Sequence, residues 1–449
     1  MKTSLKYYGG KPITDSKILS EINKIEEDGS NEDDPEILKI AGKIECIFPD
    51  KIEYIHLNDM VGNGGEGAVF KTNISDMVAK IYWPKMRTKV REEKLTLMVN
   101  NQIENQSICW PKGLLKYDGS FVGIVMPYID NKVYETLDIV LGKKDLADFF
   151  NNDRRNLLKS LINVTEIFEV LKENNIVMGD FNFDNLMINK KTFDVKLIDL
   201  DGAQIDKYPC VTCKSLFNAP ELFKGLTDSE ADEEHIANSY YHKVYSTFLR
   251  DNYGLAAYLF MMLMCVKPYN NLVCLANNDF GYHLTNNKYT EKTKARDFSY
   301  RWAHLPYFIR ELFHKCFTTE NPNERLSAKQ WKIVLKYYYK LLDNDELVKL
   351  DCDCLVLYEH KEINYNVLGK VKLITKTSLL SSGFTMEDTI KRLLIDLKKN
   401  GVSANADTKM ISEYLKHNRI LKIDNMTYKL LFNIGVYKKV SLEYKSSQI

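Results

Sequence analysis

The rhythm of hydrophobic and polar positions changes along this chain. Between residues 52 and about 141, short runs dominate, among them "IEYIHL", "GAVFKT", "MVAKIYW" and "FVGIVMPYI". They are rich in β-branched and aromatic residues, which predicts strands. One segment breaks the series with a helical pattern, "TKVREEKLTLMVNNQI". From about 144 to 343 the pattern is mostly helical, interrupted by "IVMGDFNFDNLMIN" and "DVKLIDLDGAQI". A β-rich lobe followed by a helical one predicts a two-lobed α+β arrangement with a cleft.

The flanks differ from this middle. Residues 1–51 are polar, with an acidic patch "EEDGSNEDDPEI", and are expected to be partly disordered, with one short helix around 15–25. The two lobes are expected at 52–130 and 131–343, followed by a small α/β accessory domain at 344–449. There, "TMEDTIKRLLIDLKKNG" and "TKMISEYLKHN" read as helices, and "RILKIDNMTYKLLF" as a hairpin turning at Asp424 and Asn425. Helix, helix, hairpin resembles a winged-helix arrangement. Lys391, Arg392, Lys398, Lys399, Lys416, Arg419 and Lys422 give it basic character. Nothing gathers those charges on one recognition face, so a protein partner is expected ahead of nucleic acid.

Composition narrows the classes further. With 45% hydrophobic and 27% charged residues and a formal net charge of +1, the chain has no global bias toward nucleic acid or anionic membranes. The most apolar run, residues 253–266, is 14 long and bracketed by Asp251 and Lys267. A membrane helix needs about 20 residues, so a buried core helix is expected there, and no membrane partner. The first residues lack a basic region followed by an apolar core, which predicts a cytoplasmic location. Nine cysteines, an odd and scattered set, suit reduced thiols. Cys210 and Cys213 form a CxxC without a second pair or zinc-spaced histidines, so ordinary thiols are expected.

Candidate chemistry begins at "VGNGGEGAVFKT", where Gly62, Gly64, Gly65 and Gly67 precede Val69. A backbone without Cβ atoms can approach phosphate oxygens closely. The residues directly after Gly67 read as a strand, which separates this loop from the dinucleotide-binding fingerprint that opens a helix. Lys80 comes 11 residues after Val69, and alternation puts it on one strand face with Val78. The next helix offers Glu92 and Glu93 as a carboxylate partner for Lys80, with Glu93 favoured. In "MGDFNFDNLMIN", Asp180 and Asn185 stand five apart, a spacing that an Asx-rich turn could also produce. The strand in "DVKLIDLDG" delivers Asp199 and Asp201 to its end, where hard oxygens suit Mg2+. Spacing from Asn185 favours Asp199, with Asp201 the alternative.

Taken in order, the glycine loop, Lys80, the Asp180–Asn185 spacing and the "DLDG" strand end resemble the protein-kinase superfamily. "FNAPEL", "DNYGLAAYLFMML" and "NPNERLSAKQW" extend the likeness over roughly 280 residues. "GNGGEGAVF" with "YPCVT" is similar to a bacterial branch of eukaryotic-like kinases. The resemblance implies a two-lobed kinase fold that uses ATP and Mg2+ to phosphorylate a protein substrate. The adenine is expected between Val69, Val78 and Met187, with backbone contacts at Met126, Pro127, Tyr128 and Ile129. Lys80 is expected on the phosphates, Asn185 and Asp199 on Mg2+, and Asp180 as base for a Ser or Thr hydroxyl. It also implies an ion pair between Glu221 and Arg325, a backbone-anchoring Asp251, and Thr212 and Ser215 as autophosphorylation sites. The departures are Met178-Gly179 for the usual His-Arg, Asn182 for a lysine, and "DLDG" for Asp-Phe-Gly. The four core side chains remain, which favours an active Ser/Thr protein kinase over a nucleotide-sensing pseudokinase scaffold or a small-molecule kinase.

Overall fold

Seven strands form one antiparallel sheet in the N-terminal part of the chain. They are β1 (Ile44–Ile47), β2 (Ile52–Ile55), β3 (Leu57–Gly64), β4 (Gly67–Thr72), β5 (Met77–Tyr82), β6 (Gly113–Tyr117) and β7 (Ser120–Pro127), in spatial order β2-β1-β6-β7-β5-β4-β3. This computed structural model describes residues 5–27, 40, 42–143, 146–179, 181–210, 217, 219, 221, 244–264, 268, 305–344, 420–423 and 426–429. The architecture is α+β, with the sheet early in the chain and helices later.

Alternation decides the sheet's faces. Ala68 and Phe70 of β4 and Ala79 and Ile81 of β5 join Ile44, Cys46, Ile55, Leu115 and Val125 in one apolar core. The alternate residues on β5, Val78, Lys80 and Tyr82, are buried on the other side. The sheet begins earlier than residue 52, because Ile44 and Cys46 are fully buried and β1 sits between β2 and β6.

Within the polar lead-in, the short helix expected around 15–25 is present. Helix α1 (Ser16–Glu27) starts at Asp15, whose carboxylate accepts from the amides of Lys17 (3.0 Å) and Ile18 (3.4 Å). Ile13, Ile18 and Ile22 pack with Tyr208 and Tyr245, and against Val90 and Leu97 of helix α2 (Lys89–Asn100). The acidic patch itself falls largely on residues outside the described ones.

Among the described residues, five further short strands follow: β8 (Tyr134–Thr136), β9 (Ile176–Val177), β10 (Leu186–Asn189), β11 (Val195–Leu197) and β12 (Gln204–Ile205). They form a three-stranded sheet β11-β10-β8 and a pair β12-β9. By packing, the chain divides into one unit of Met1–Gly142, Glu166–Ser215 and Asp232–Asp251, and a second of Lys143–Thr165, Leu216–Ala231 and Asn252–Ile449.

Among the described residues, the later helices are α3 (Leu137–Lys143), α4 (Leu146–Phe149), α5 (Arg154–Glu173), α6 (Phe248–Met264), α7 (Tyr307–Thr318) and α8 (Ala328–Asp343). In the second unit, Phe260 meets Phe313 and Phe317 edge-on at 5.3 and 5.5 Å, and Phe313 contacts Trp331 at 5.0 Å. Ser327 and Gln330 close a capping box at the start of α8. Arg325 donates to both oxygens of Glu221, at 2.7 and 2.5 Å, the pair implied by the "APE" and "NPNER" motifs. The expected hairpin is present as β13 (Ile420–Ile423) and β14 (Met426–Lys429). The two helices before it, and the basic residues from Lys391 to Arg419, lie outside the described residues. Among the described residues, no helix is long and apolar enough to cross a membrane.

Candidate functional site

The glycine stretch forms a hairpin. Gly64 pairs with Gly67 and Gly62 with Val69, leaving Gly65 and Glu66 at the tip between β3 and β4. Gly67 has a packing reason to be glycine, since a Cβ there would lie 2.1 Å from the Ile81 carbonyl oxygen. At Gly62, Gly64 and Gly65 an added Cβ would meet no atom of the described residues within 4 Å. Contacts among the described residues therefore do not require glycine at those three positions. Trp83 pins the tip from the side: its indole donates to the Gly64 carbonyl at 2.9 Å and its amide to the Glu66 carbonyl at 3.0 Å.

Beneath the hairpin lies a cavity of about 430 Å³, within the size range of small-molecule sites. Gly62, Gly64, Gly65, Gly67, Val69, Val78, Lys80, Met126, Tyr128 and Met187 all line it. Asn185 and Asp199 line it too, whereas Asp201 does not. At the strand end that leads out of β7, the Tyr128 amide donates to the Asp76 carbonyl at 2.8 Å. Pro127 has no amide hydrogen. Ile129, also in the lining, carries the segment's remaining amide, which enters no backbone hydrogen bond among the described residues.

The polar end of the cavity is set by a two-strand register. Leu186 pairs with Leu197, and the Ile198 amide donates to the Asn185 carbonyl at 2.9 Å. That places Asn185 and Asp199 at the same end of the β10–β11 ladder. The Asn182 side chain accepts from the Asn185 amide at 3.1 Å, capping the 3-10 turn Phe183–Asn185 that leads into β10. Asp199 has φ 60 and ψ 42, a left-handed backbone conformation of the kind that concentrates at functional sites.

Upstream, the Met178 and Gly179 amides donate to the Asp251 carboxylate at 2.8 and 3.1 Å. Gly179 has φ 69, and a Cβ there would sit 2.7 Å from both Cβ and Sγ of Cys210. A long side chain is thereby excluded from the position before Asp180. Asp180 itself lies outside the described residues, as do Thr212, Cys213 and Ser215.

Lys80 carries the electrostatics of the site. Its ammonium donates to Asp201 at 2.8 and 3.1 Å, to Glu66 at 3.1 Å, and also to Asp199. Burial opposes its charge, but Asp201, Asp199 and Glu66 outweigh that and hold it well above the ordinary lysine range. Asp201 is 3% exposed and takes a further bond from the Tyr82 hydroxyl at 2.6 Å. Burial alone would raise its carboxyl; Lys80 and Arg91 hold it far below the usual range. Asp199 is 47% exposed, so it is the aspartate with oxygens open to the cavity. Lys80 lowers its pKa, but partial burial and the carboxylates of Asp201 and Glu66 push it up to about 6. Oxygens of Glu66, Asp199 and Asp201 lie within 4.8 Å of one another, a hard-donor group of the kind divalent cations take.

Glu93 is not the partner of Lys80. It accepts from the Tyr208 hydroxyl at 3.3 Å and lines a separate hollow with Tyr208 and Lys116. Helix periodicity supplies the reason. Arg91 faces the cluster, and Glu93, two residues on, is rotated by about 200°. Glu92 is also engaged elsewhere, with Lys89 at 3.0 Å and Lys116 at 2.9 Å. Glu66 and Arg91 went unrecognised in the sequence, although each carried a signal. Glu66 is the only charged residue among the hairpin glycines, and Arg91 is a cation in the first turn of α2, where the helix dipole disfavours it.

No protein-family model matches the chain, and no curated protein is similar enough to it to count as a match.

Proposed function

We propose that this chain is an ATP- and Mg2+-dependent phosphotransferase with a two-lobed kinase-like fold, acting as a Ser/Thr protein kinase. The observation that carries the reading is the cavity under the glycine hairpin. It joins an apolar wall (Val69, Val78, Met187), a buried lysine and a solvent-facing aspartate beside Asn185. Bare glycine backbone suits a polyphosphate, and the apolar wall suits a flat base. Two remote contacts lend support, the Arg325–Glu221 pair and the Asp251 carboxylate on the Met178 and Gly179 amides.

In this reading Ile129 offers its amide to the base, and Lys80 gives up part of its carboxylate contact to hold the phosphates. The oxygens of Asp199 and Asn185 are the right chemistry for Mg2+, which when bound neutralises phosphate charge. Asp180, five residues before Asn185, takes the proton of the attacking hydroxyl. The new bond joins that oxygen to the γ-phosphorus, and ADP leaves with the electrons of the broken bond. Positioning and charge neutralisation supply the acceleration.

The test is transfer from labelled Mg-ATP to the protein itself and to a generic basic protein, with Asp180→Asn alongside. Label on the wild type and its loss by at least about a hundredfold in the variant is the expected result. Equal labelling of both proteins would remove Asp180 from the mechanism. A wild type that binds Mg-ATP and labels neither protein would turn the reading toward a small-molecule kinase or a nucleotide-sensing scaffold.

A further inference from the structure

Of the carboxylates around Lys80, Glu66 differs in origin. It comes from the tip of the glycine hairpin, and one carboxylate reaches two cations. Its Oε2 lies 3.1 Å from Lys80 Nζ, and its Oε1 lies 2.6 Å from Arg91 Nη2. Arg91 stacks over the Tyr82 ring at 4.8 Å, and its Nη1 is buried without a hydrogen-bond partner among the described residues. Helix α2 turns cations, Arg91 and the buried Lys94, toward this side, while Glu92 and Glu93 are engaged elsewhere. Two cations facing each other across a buried space repel unless an anion bridges them.

We propose that Glu66 and Arg91 form the strut that seats Lys80, with the carboxylate on the hairpin and the cation on the helix. The polarity is opposite to a helix-borne glutamate holding the lysine. Closure of the hairpin over a nucleotide and seating of α2 thereby become one event. Both are positioning residues, since they act through Lys80. The inference rests on the nucleotide reading above.

The test measures Mg-ATP affinity by calorimetry and amide hydrogen exchange across residues 89–100, for wild type, Glu66→Gln, Arg91→Gln and the double variant. In the wild type, saturating Mg-ATP is expected to slow exchange in α2 by about tenfold or more. In either single variant the nucleotide still binds, weakened by about ten- to hundredfold, and the α2 protection is lost. The double variant is no worse than the worse single one, as coupled partners require. Arg91→Lys, which keeps the charge, recovers part of the protection, and it carries the test if Arg91→Gln melts without nucleotide. Glu93→Gln behaves as wild type. Protection of α2 that survives in Glu66→Gln, or that never occurs in a wild type binding Mg-ATP, overturns the strut. A wild type that binds no Mg-ATP overturns the nucleotide reading itself, and the strut with it.

Discussion

Asp251 illustrates how a single side chain can fix backbone near the site. Both its oxygens accept main-chain amides, from Met178 at 2.8 Å and Gly179 at 3.1 Å. Burial nevertheless raises its carboxyl to about 7, against the lowering by those amides. An unfolded aspartate titrates near ~3.9. Between the two values the native state binds the proton more tightly, so Asp251's contribution to stability falls as pH rises through that window and is constant above it. The full change is on the order of 4 kcal/mol. Urea midpoints from pH 4.5 to 8 should show this decline in the wild type and a shallower one in Asp251→Asn, which cannot ionise. Parallel curves would mean Asp251 is charged throughout. Residue by residue, the site was legible where chemistry follows a short period: alternation on β5 put Val78 and Lys80 on the cavity face. It was not legible where a partner comes from a remote segment. Glu66 and Arg91 are 25 residues apart and meet only because the hairpin folds toward α2.

At the scale of elements, the strands and the core helix followed the hydrophobic rhythm, and so did the short helix expected around 15–25, present as Ser16–Glu27. The apolar positions on this helix are few, yet Ile18 and Ile22, one helical turn apart, are 2% and 3% exposed. A few well-placed isoleucines suffice when a ready surface exists, here Tyr208, Tyr245 and the outer side of α2. The Glu21 carboxylate also accepts from the Val90 amide at 3.1 Å, satisfying a donor at the positive end of α2. Helix α1 is thus a brace on the helix that carries Arg91. Ile22→Ala should lower stability by about 2–4 kcal/mol in urea unfolding. A loss under roughly 0.5 kcal/mol, the size of an ordinary surface substitution, would show that α1 does not pack as described.

For the molecule as a whole, every residue lining the cavity belongs to the first packing unit, including the polar end supplied by β10 and β11. The hairpin, Lys80, Asn185 and Asp199 are therefore parts of one body. The central claim is that this body holds Mg-ATP. Thermal unfolding of the wild type and Lys80→Met, with and without nucleotide, tests it most directly. A ligand at a hundred times its Kd stabilises by about 2.7 kcal/mol, enough for a shift of several degrees. Saturable stabilisation of the wild type by Mg-ATP, with little or none in Lys80→Met, is the predicted result. No shift in the wild type, or an equal shift in both proteins, would contradict it.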